Sequence, residues 1–176
     1  MKKPIIFSIG HSSRTIIDFL SLLSKNGIKE IIDIRSLPGS RYAPQFNQET
    51  LVESLKEVSI RYKYIEKLGG RRRSSEDSIN LGWHNVSFRG YADYMSTSEF
   101  SAGLAELIKI ASFKTTAIMC AEAVPWRCHR SLISDALSKK GWEVRNIIGS
   151  ESTVRHRLTP FLKMKKGQIV YPEIKN

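Results

Sequence analysis

Short apolar runs recur along this 176-residue chain, each followed by a stretch with helical spacing, and that alternation restricts the fold more than any other feature. Ile5 to Gly10 is almost wholly apolar and ends on Gly, as a strand buried on both faces of a parallel sheet does. Thr15-Ile-Ile-Asp then has the spacing of a helix cap, and Ile16, Phe19, Leu20 and Leu23 recur on one helical face until Asn26-Gly27 closes the element. Glu30 to Arg35, Ile60 to Ile65, Thr115 to Ala121 and Glu143 to Ile148 read as four further strands. Between them, Leu51, Leu55 and Val58 behind Asn47 mark one helix, and Phe100, Leu104, Leu107, Ile108 and Ala111 behind Thr97 or Ser98 mark another. Ser131 to Lys140, with Gly141 beyond it, marks the last. Parallel strands need crossover connections, and helices supply them over both faces of a sheet. The expected fold is therefore a single α/β domain spanning 1–176, with a mostly parallel sheet of about five strands and helices on both faces.

Two regions break the pattern. From about 69 to 90 the chain has no clear period and reads as an irregular loop insertion, followed by a short helical turn at Tyr91 to Met95. From about 150 a basic extension begins, in which Ile169-Val-Tyr is expected to add a late edge strand. The composition is that of a soluble globular chain, 41% hydrophobic and 26% charged, which excludes extensive disorder. No run approaches the roughly 18 apolar residues that a membrane span requires, and the patch after Lys2-Lys3 is too short for a secretory h-region. Two cysteines make no disulfide framework, so a reducing cytoplasm is the expected compartment. Lys plus Arg is 28 against 17 for Asp plus Glu, a net charge of +11 that favours phosphorylated metabolites or nucleic acid as partners.

In open parallel sheets, ligands bind beyond the carboxyl ends of the strands. By that rule the first strand delivers His11 and Ser12, the second Arg35, Ser36 and Ser40, the third Glu66 ahead of Gly69-Gly70, and the fourth Cys120 and Glu122. The loop behind the fourth strand adds Arg127, Cys128, His129 and Arg130. Asp33 and Arg35 lie two apart, so their side chains share a sheet face, where a pair is expected because neither charge is cheaply buried alone. Cys120, ending an apolar strand, reads first as a small buried hydrophobe. Cys128 reads as the stronger nucleophile candidate, because a helix N-terminus and the neighbouring Arg127, His129 and Arg130 all favour thiolate. His11 is read as a general base, a ligand or a loop cap, and Glu122 and His129 as acid-base candidates. Arg35, Arg127 and Arg130 are candidate holders of phosphate or carboxylate.

Several templates fail. Cys120 to Arg127 leaves six intervening residues, one more than the Cys-x5-Arg loop that encircles a phosphate in tyrosine phosphatases. Cys120 to Cys128 is not a Cys-x-x-Cys redox motif; Cys120, Cys128, His129 and a distant His11 offer the donor types of a tetrahedral zinc site, but the spacing is unlike a zinc ribbon or finger. No Walker or Gly-x-Gly-x-x-Gly motif supports a nucleotide cofactor, and the cofactor stays unassigned.

Taken in order, Ser8-Ile-Gly-His-Ser, Asp33-Ile-Arg-Ser-Leu-Pro-Gly-Ser-Arg, Pro44-Gln-Phe-Asn, Leu68-Gly-Gly-Arg-Arg-Arg, Phe88-Arg-Gly-Tyr-Ala-Asp-Tyr-Met, Cys120 to Arg130 and His156-Arg-Leu-Thr-Pro resemble the domain of unknown function 488 family, in its longer form. The resemblance implies one α/β domain in a cytoplasmic prokaryotic protein. It places the family's Cys/Cys-His-Arg hallmark on Cys120, Cys128, His129 and Arg130, and it draws His156 towards the site as a ligand-binding residue. It implies no biochemical activity.

Three readings remain. The first is an enzyme-like domain binding a phosphorylated or nucleic-acid ligand at the strand ends, through Ser12, Arg35, Ser40, Cys120, Arg127, Arg130 and His156, with Cys128, His11, Glu122 and His129 as catalytic candidates. The second is a noncatalytic nucleic-acid-binding module using Arg71, Arg72, Arg73, Trp83 and Arg89 with the basic tail. The third is a metal-dependent enzyme with Cys and His ligands.

Overall fold

The computed structural model describes residues 2–150 and 152–174. Among these residues the chain runs β1 (Ile5–Gly10), α1 (Ile16–Lys25), β2 (Glu30–Asp33), α2 (Gln48–Glu57), β3 (Arg61–Tyr64), α3 (Val86–Tyr94), α4 (Ser98–Ala111), β4 (Thr116–Cys120), α5 (Arg130–Lys139), β5 (Glu143–Ile147), β6 (Thr153–Arg155), β7 (Lys163–Lys165) and β8 (Gln168–Val170). β1 to β5 are parallel and β6 runs antiparallel on β5, giving a six-stranded sheet in the order β3-β2-β4-β1-β5-β6. The expected single α/β domain with helices on both faces is what forms, with β6 as the sixth strand at its edge. No helix among the described residues is long and apolar enough to cross a membrane.

Period-two alternation splits the apolar residues of the strands into two cores. Phe7, Ile9, Ile31, Ala117, Met119 and Ile147 pack with α1 and α2 through Phe19, Leu23, Leu51 and Leu55. Ile6, Ile32, Ile118 and Val144 pack on the opposite face with α3, α4 and α5 through Tyr91, Leu104, Leu107 and Leu132. Helix starts follow local chemistry: Thr15 Oγ1 accepts from the Asp18 amide and Thr97 Oγ1 from the Phe100 amide. Asn47 stands at the start of α2 but does not cap it. Its Oδ1 instead accepts from the Ser40 amide, which ties down the loop after β2.

Two sequence expectations are corrected. Ile169 and Val170 do not lie at the sheet edge, which β6 occupies. They pair with 163–165 in a separate hairpin, because Lys166 and Gly167 both take positive φ, as the tight turn of a two-residue hairpin requires. The helix expected only from Tyr91 begins at Val86, capped by the Asn85 side chain, which accepts from the Ser87 and Phe88 amides. Before it, residues 71–85 are irregular but anchored. Asp93 accepts from Ser75 N, Ser78 Oγ and Asn80 Nδ2, while Arg72 lies 3.7 Å over the Tyr94 ring.

The extension is clasped to α5 by a buried acid. Asp135 accepts from the Tyr171 hydroxyl at 2.9 Å and the Thr159 amide at 3.1 Å, and pairs with His156 Nε2 at 2.8 Å. Removing it strands three polar groups, two of them buried side chains, and such losses cost about 2–4 kcal/mol. Asp135→Ala is therefore expected to lower the unfolding free energy in urea by that amount, and to make residues 156–171 cleavable by protease in the native state.

Candidate functional site

The connections after β1 and β2 carry α1 and α2 over one face, whereas those after β3 and β4 carry α3 to α5 over the other. β1 and β4 are neighbours, so their carboxyl ends open a crevice at a topological switch point, the place where such sheets bind ligands. The two chains stay bonded past the strands: the His11 amide donates to Cys120 O at 3.0 Å and the Ser12 amide to Ala121 O at 2.8 Å. Gly10 permits this approach, since a Cβ there would overlap the Glu122 carbonyl and crowd Arg130.

Arg130 holds the crevice in shape. It is 1% exposed, the largest fully buried side chain, and donates from Nη1 to Ser8 Oγ at 3.0 Å and from Nη2 to the Glu122 carbonyl. Among the described residues no carboxylate pairs with it. Its backbone amide donates to Cys128 Sγ at 3.5 Å, and its positive charge favours thiolate there.

Cys120, Cys128 and His129 form one cluster, with their two sulfurs and one ring nitrogen all within 4.8 Å of one another. His129 Nε2 lies 2.9 Å from the Ile34 carbonyl, which can only accept, so this nitrogen carries the hydrogen and Nδ1 is turned to Cys128 Sγ at 3.6 Å. The ring sits between Tyr91, at 4.9 Å between centroids, and Gly70, where a Cβ would collide with Nδ1. The two thiols are driven apart. A hydrogen bond from Cys120 holds the Cys128 thiol well below its ordinary pKa, against the opposing effect of burial and with help from His129 and Arg130. The same contact, together with burial, pushes the Cys120 thiol well up. Both cysteines are free.

His11 and Arg35 complete the crevice from the other side. Arg35 donates to both oxygens of Asp33, the closest contact being 2.6 Å, and Tyr62 donates its hydroxyl to the same carboxylate at 2.7 Å. The expected ion pair is thus formed and nearly dry, and it aims Arg35 Nη1 at His11 Nε2, 3.4 Å away. His11 stacks on Phe46 with ring centroids 4.4 Å apart, and its Nδ1 faces Ser12 O at 2.9 Å. Burial, reinforced by Arg35, lowers the His11 pKa. The ring is neutral near pH 7, with a hydrogen on Nδ1 and Nε2 as the acceptor.

These groups enclose a cavity of about 290 Å³, lined by His11, Arg35, Ser36, Ser40, Cys120 and His129 among the residues expected at the strand ends, and by Leu37 and Arg71 besides. Cys128 lies beneath it, 4% exposed. The Cys128 sulfur thus lies below the cavity, while the Cys120 sulfur is at its wall. Other expected residues fall outside the cavity. Glu122 contributes its carbonyl while its side chain is exposed, Glu66 and Arg127 are exposed, and Ser12 serves through its backbone. Arg130 donates to Ser8 and the Glu122 carbonyl and does not line the cavity. His156 is held by Asp135 at a second, mostly apolar cavity of about 480 Å³ that also takes in Trp83 and Trp126.

Three of the five residues grouped for nucleic-acid contact are engaged within the fold. Trp83 packs against Phe88, Phe161 and Tyr171, Arg72 donates to Gly69 O and Glu66 O, and Arg89 donates to Trp83 O. Arg71 and Arg73 are the two that remain exposed. The strand-end rule gave no role to Ser8, Ile34 O, Phe46 or Tyr62, although Ser8, Phe46 and Gly70 stand in the motifs that carry the family resemblance; the contacts of Ile34 O and Tyr62 depend on which strands are neighbours.

A family model described as a domain of unknown function, DUF488, matches residues 15–137. The span runs from α1 to α5 and includes Arg35, Cys120, Cys128, His129 and Arg130, while His11 and His156 lie outside it. No curated protein and no solved structure matches the chain.

Two outcomes are expected of these contacts. The His11 ring, followed by NMR, titrates below the ordinary value of about 6.5. Its contribution to stability is then fully present above that pH and lost as pH falls through the range below it. Gly10→Ala lowers the unfolding free energy by about 2–4 kcal/mol, because the new methyl group meets backbone that cannot yield.

Proposed function

The chain belongs to the DUF488 family, whose description assigns no activity, and we propose from its own residues an enzyme-like α/β domain that takes a small phosphorylated ligand into the crevice at the strand ends. The observation that carries this reading is the charge of the cavity wall: Arg35 and Arg71 line it, and no carboxylate does. Its volume of about 290 Å³ is at the lower limit for a small-molecule site, enough for a phosphoryl group and its immediate carrier. Arg71 supplies the uncommitted charge. Arg35 is braced by Asp33, so it meets a ligand without further ordering. The sulfur and imidazole groups of Cys120, Cys128 and His129 supply the reacting centre, and neutral His11 supplies an acceptor next to Arg35. Free thiols suit a reducing cytoplasm, where we place the protein.

A noncatalytic nucleic-acid module draws its support from the net charge of +11 alone, since three of its five proposed contact residues are engaged within the fold. Isothermal titration with inorganic phosphate, pyrophosphate and a short single-stranded oligonucleotide separates the two. Small phosphoanions are expected to bind, and Arg71→Ala to weaken them about tenfold, or about 1.4 kcal/mol. Oligonucleotide binding that fades with salt, without any binding of the small anions, would instead favour the module.

A further inference from the structure

We propose that Cys120, Cys128 and His129 are three ligands of a thiophilic divalent cation, zinc in the first place, whose fourth coordination position opens on the cavity between β1 and β4. The ligand set stands on its own geometry. The use of the open position for a phosphorylated ligand rests on the function proposed above.

The distances fit a tetrahedron. With Zn–S near 2.3 Å and Zn–N near 2.0 Å, an S···N edge is about 3.6 Å, and Cys128 Sγ lies 3.6 Å from His129 Nδ1. The third donor, Cys120 Sγ, is within 4.8 Å of both, so closing the set calls for side-chain adjustment without movement of the strands. Two sulfurs and an imidazole suit zinc and exclude magnesium or calcium, which take oxygen ligands.

Each ligand is positioned before any metal arrives. Cys120 is fixed at the end of β4, in register with Gly10 of β1. Cys128 follows the one-turn 3-10 helix Pro125–Arg127, with its amide bonded to Pro125 O and its sulfur to the Arg130 amide. His129 donates from Nε2 to Ile34 O, which turns Nδ1 to the sulfurs. A ligating histidine commonly gives its other nitrogen to a backbone carbonyl in this way. The neighbouring histidine is not part of the set: His11 is bound at Ser12 O and Arg35 Nη1.

Three protein ligands with one open position describe a catalytic metal site more than a structural one, where four ligands close the shell. The open side is the cavity side, since Cys120 and His129 line the cavity and Cys128 lies below it. Binding displaces the thiol protons of Cys120 and Cys128 to solvent and changes no oxidation state.

The test uses the full chain, reduced, stripped with chelator and then titrated with Co²⁺ alone. One equivalent is expected to give tetrahedral d–d bands and thiolate-to-cobalt absorption, which Zn²⁺ then abolishes by displacement. Cys120→Ser, at the cavity wall, is expected to weaken Zn²⁺ at least about tenfold, as is Gly70→Ala, which displaces the His129 ring while leaving all three ligands in the sequence. His84→Ala, on an exposed loop residue, leaves the affinity unchanged. Absence of the sulfur-to-cobalt absorption, or binding that Cys120→Ser does not alter, overturns the proposal. Phosphate binding measured on the metal-free protein keeps the two readings apart. Phosphate bound without metal uptake refutes the metal site alone, and metal bound without phosphate upholds the site and removes only the anion reading.

Discussion

A buried guanidinium organises this molecule. Arg130 is taken almost wholly out of water, and a charge so placed is tolerated only where hydrogen bonds replace its hydration. It finds Ser8 on β1 and the Glu122 carbonyl in the loop after β4, which joins the first residue of α5 to both neighbouring strand ends. The loop is thereby drawn against Gly10, where no side chain could fit, and Cys128 is pressed beneath the crevice with a positive charge beside its sulfur. The site follows from the two contacts this one cation makes, with its Nε left without a partner among the described residues.

The strand order supplies the rest. With β4 inserted between β1 and β2, the ends of three strands far apart in sequence become neighbours, and His11, Arg35 and Cys120 meet at the one point where crossovers leave for opposite faces. The Asp33–Arg35 pair and the Arg130 contacts act as two posts on either side of that crevice. Between them the His11 ring is held neutral, and the thiols are split into one that ionises readily and one that does not.

Much of this was legible in the sequence. The alternation of apolar runs and helical faces gives the α/β class, and the strand-end rule selects His11, Arg35, Ser40, Cys120 and His129, which do converge. Three kinds of placement differ from what the sequence suggests, for physical reasons. Arg127, Glu122 and Glu66 share the strand ends, but a rule about backbone position says nothing of side-chain direction, and these point to solvent. Trp83 and Arg72 read as nucleic-acid contacts because aromatic and basic residues interleave there. In the folded chain the same residues cover a satellite core and a ring face, roles that depend on contacts with Phe161, Tyr171 and Tyr94 that no local pattern reveals. The tail was misjudged because Ile169 has strand propensity whichever partner it takes, and the Lys166-Gly167 turn chose a hairpin.

The claim on which the others depend is that Arg130 braces the crevice through two simultaneous contacts. Lysine at that position keeps the charge but lacks the fork that reaches both Ser8 and the Glu122 carbonyl. The direct measurement is the unfolding free energy of Arg130→Lys against wild type in urea, on metal-free protein. A loss of about 3–5 kcal/mol is expected for a buried charge left short of partners, whereas a loss below about 1 kcal/mol would show that the crevice holds its shape without that brace.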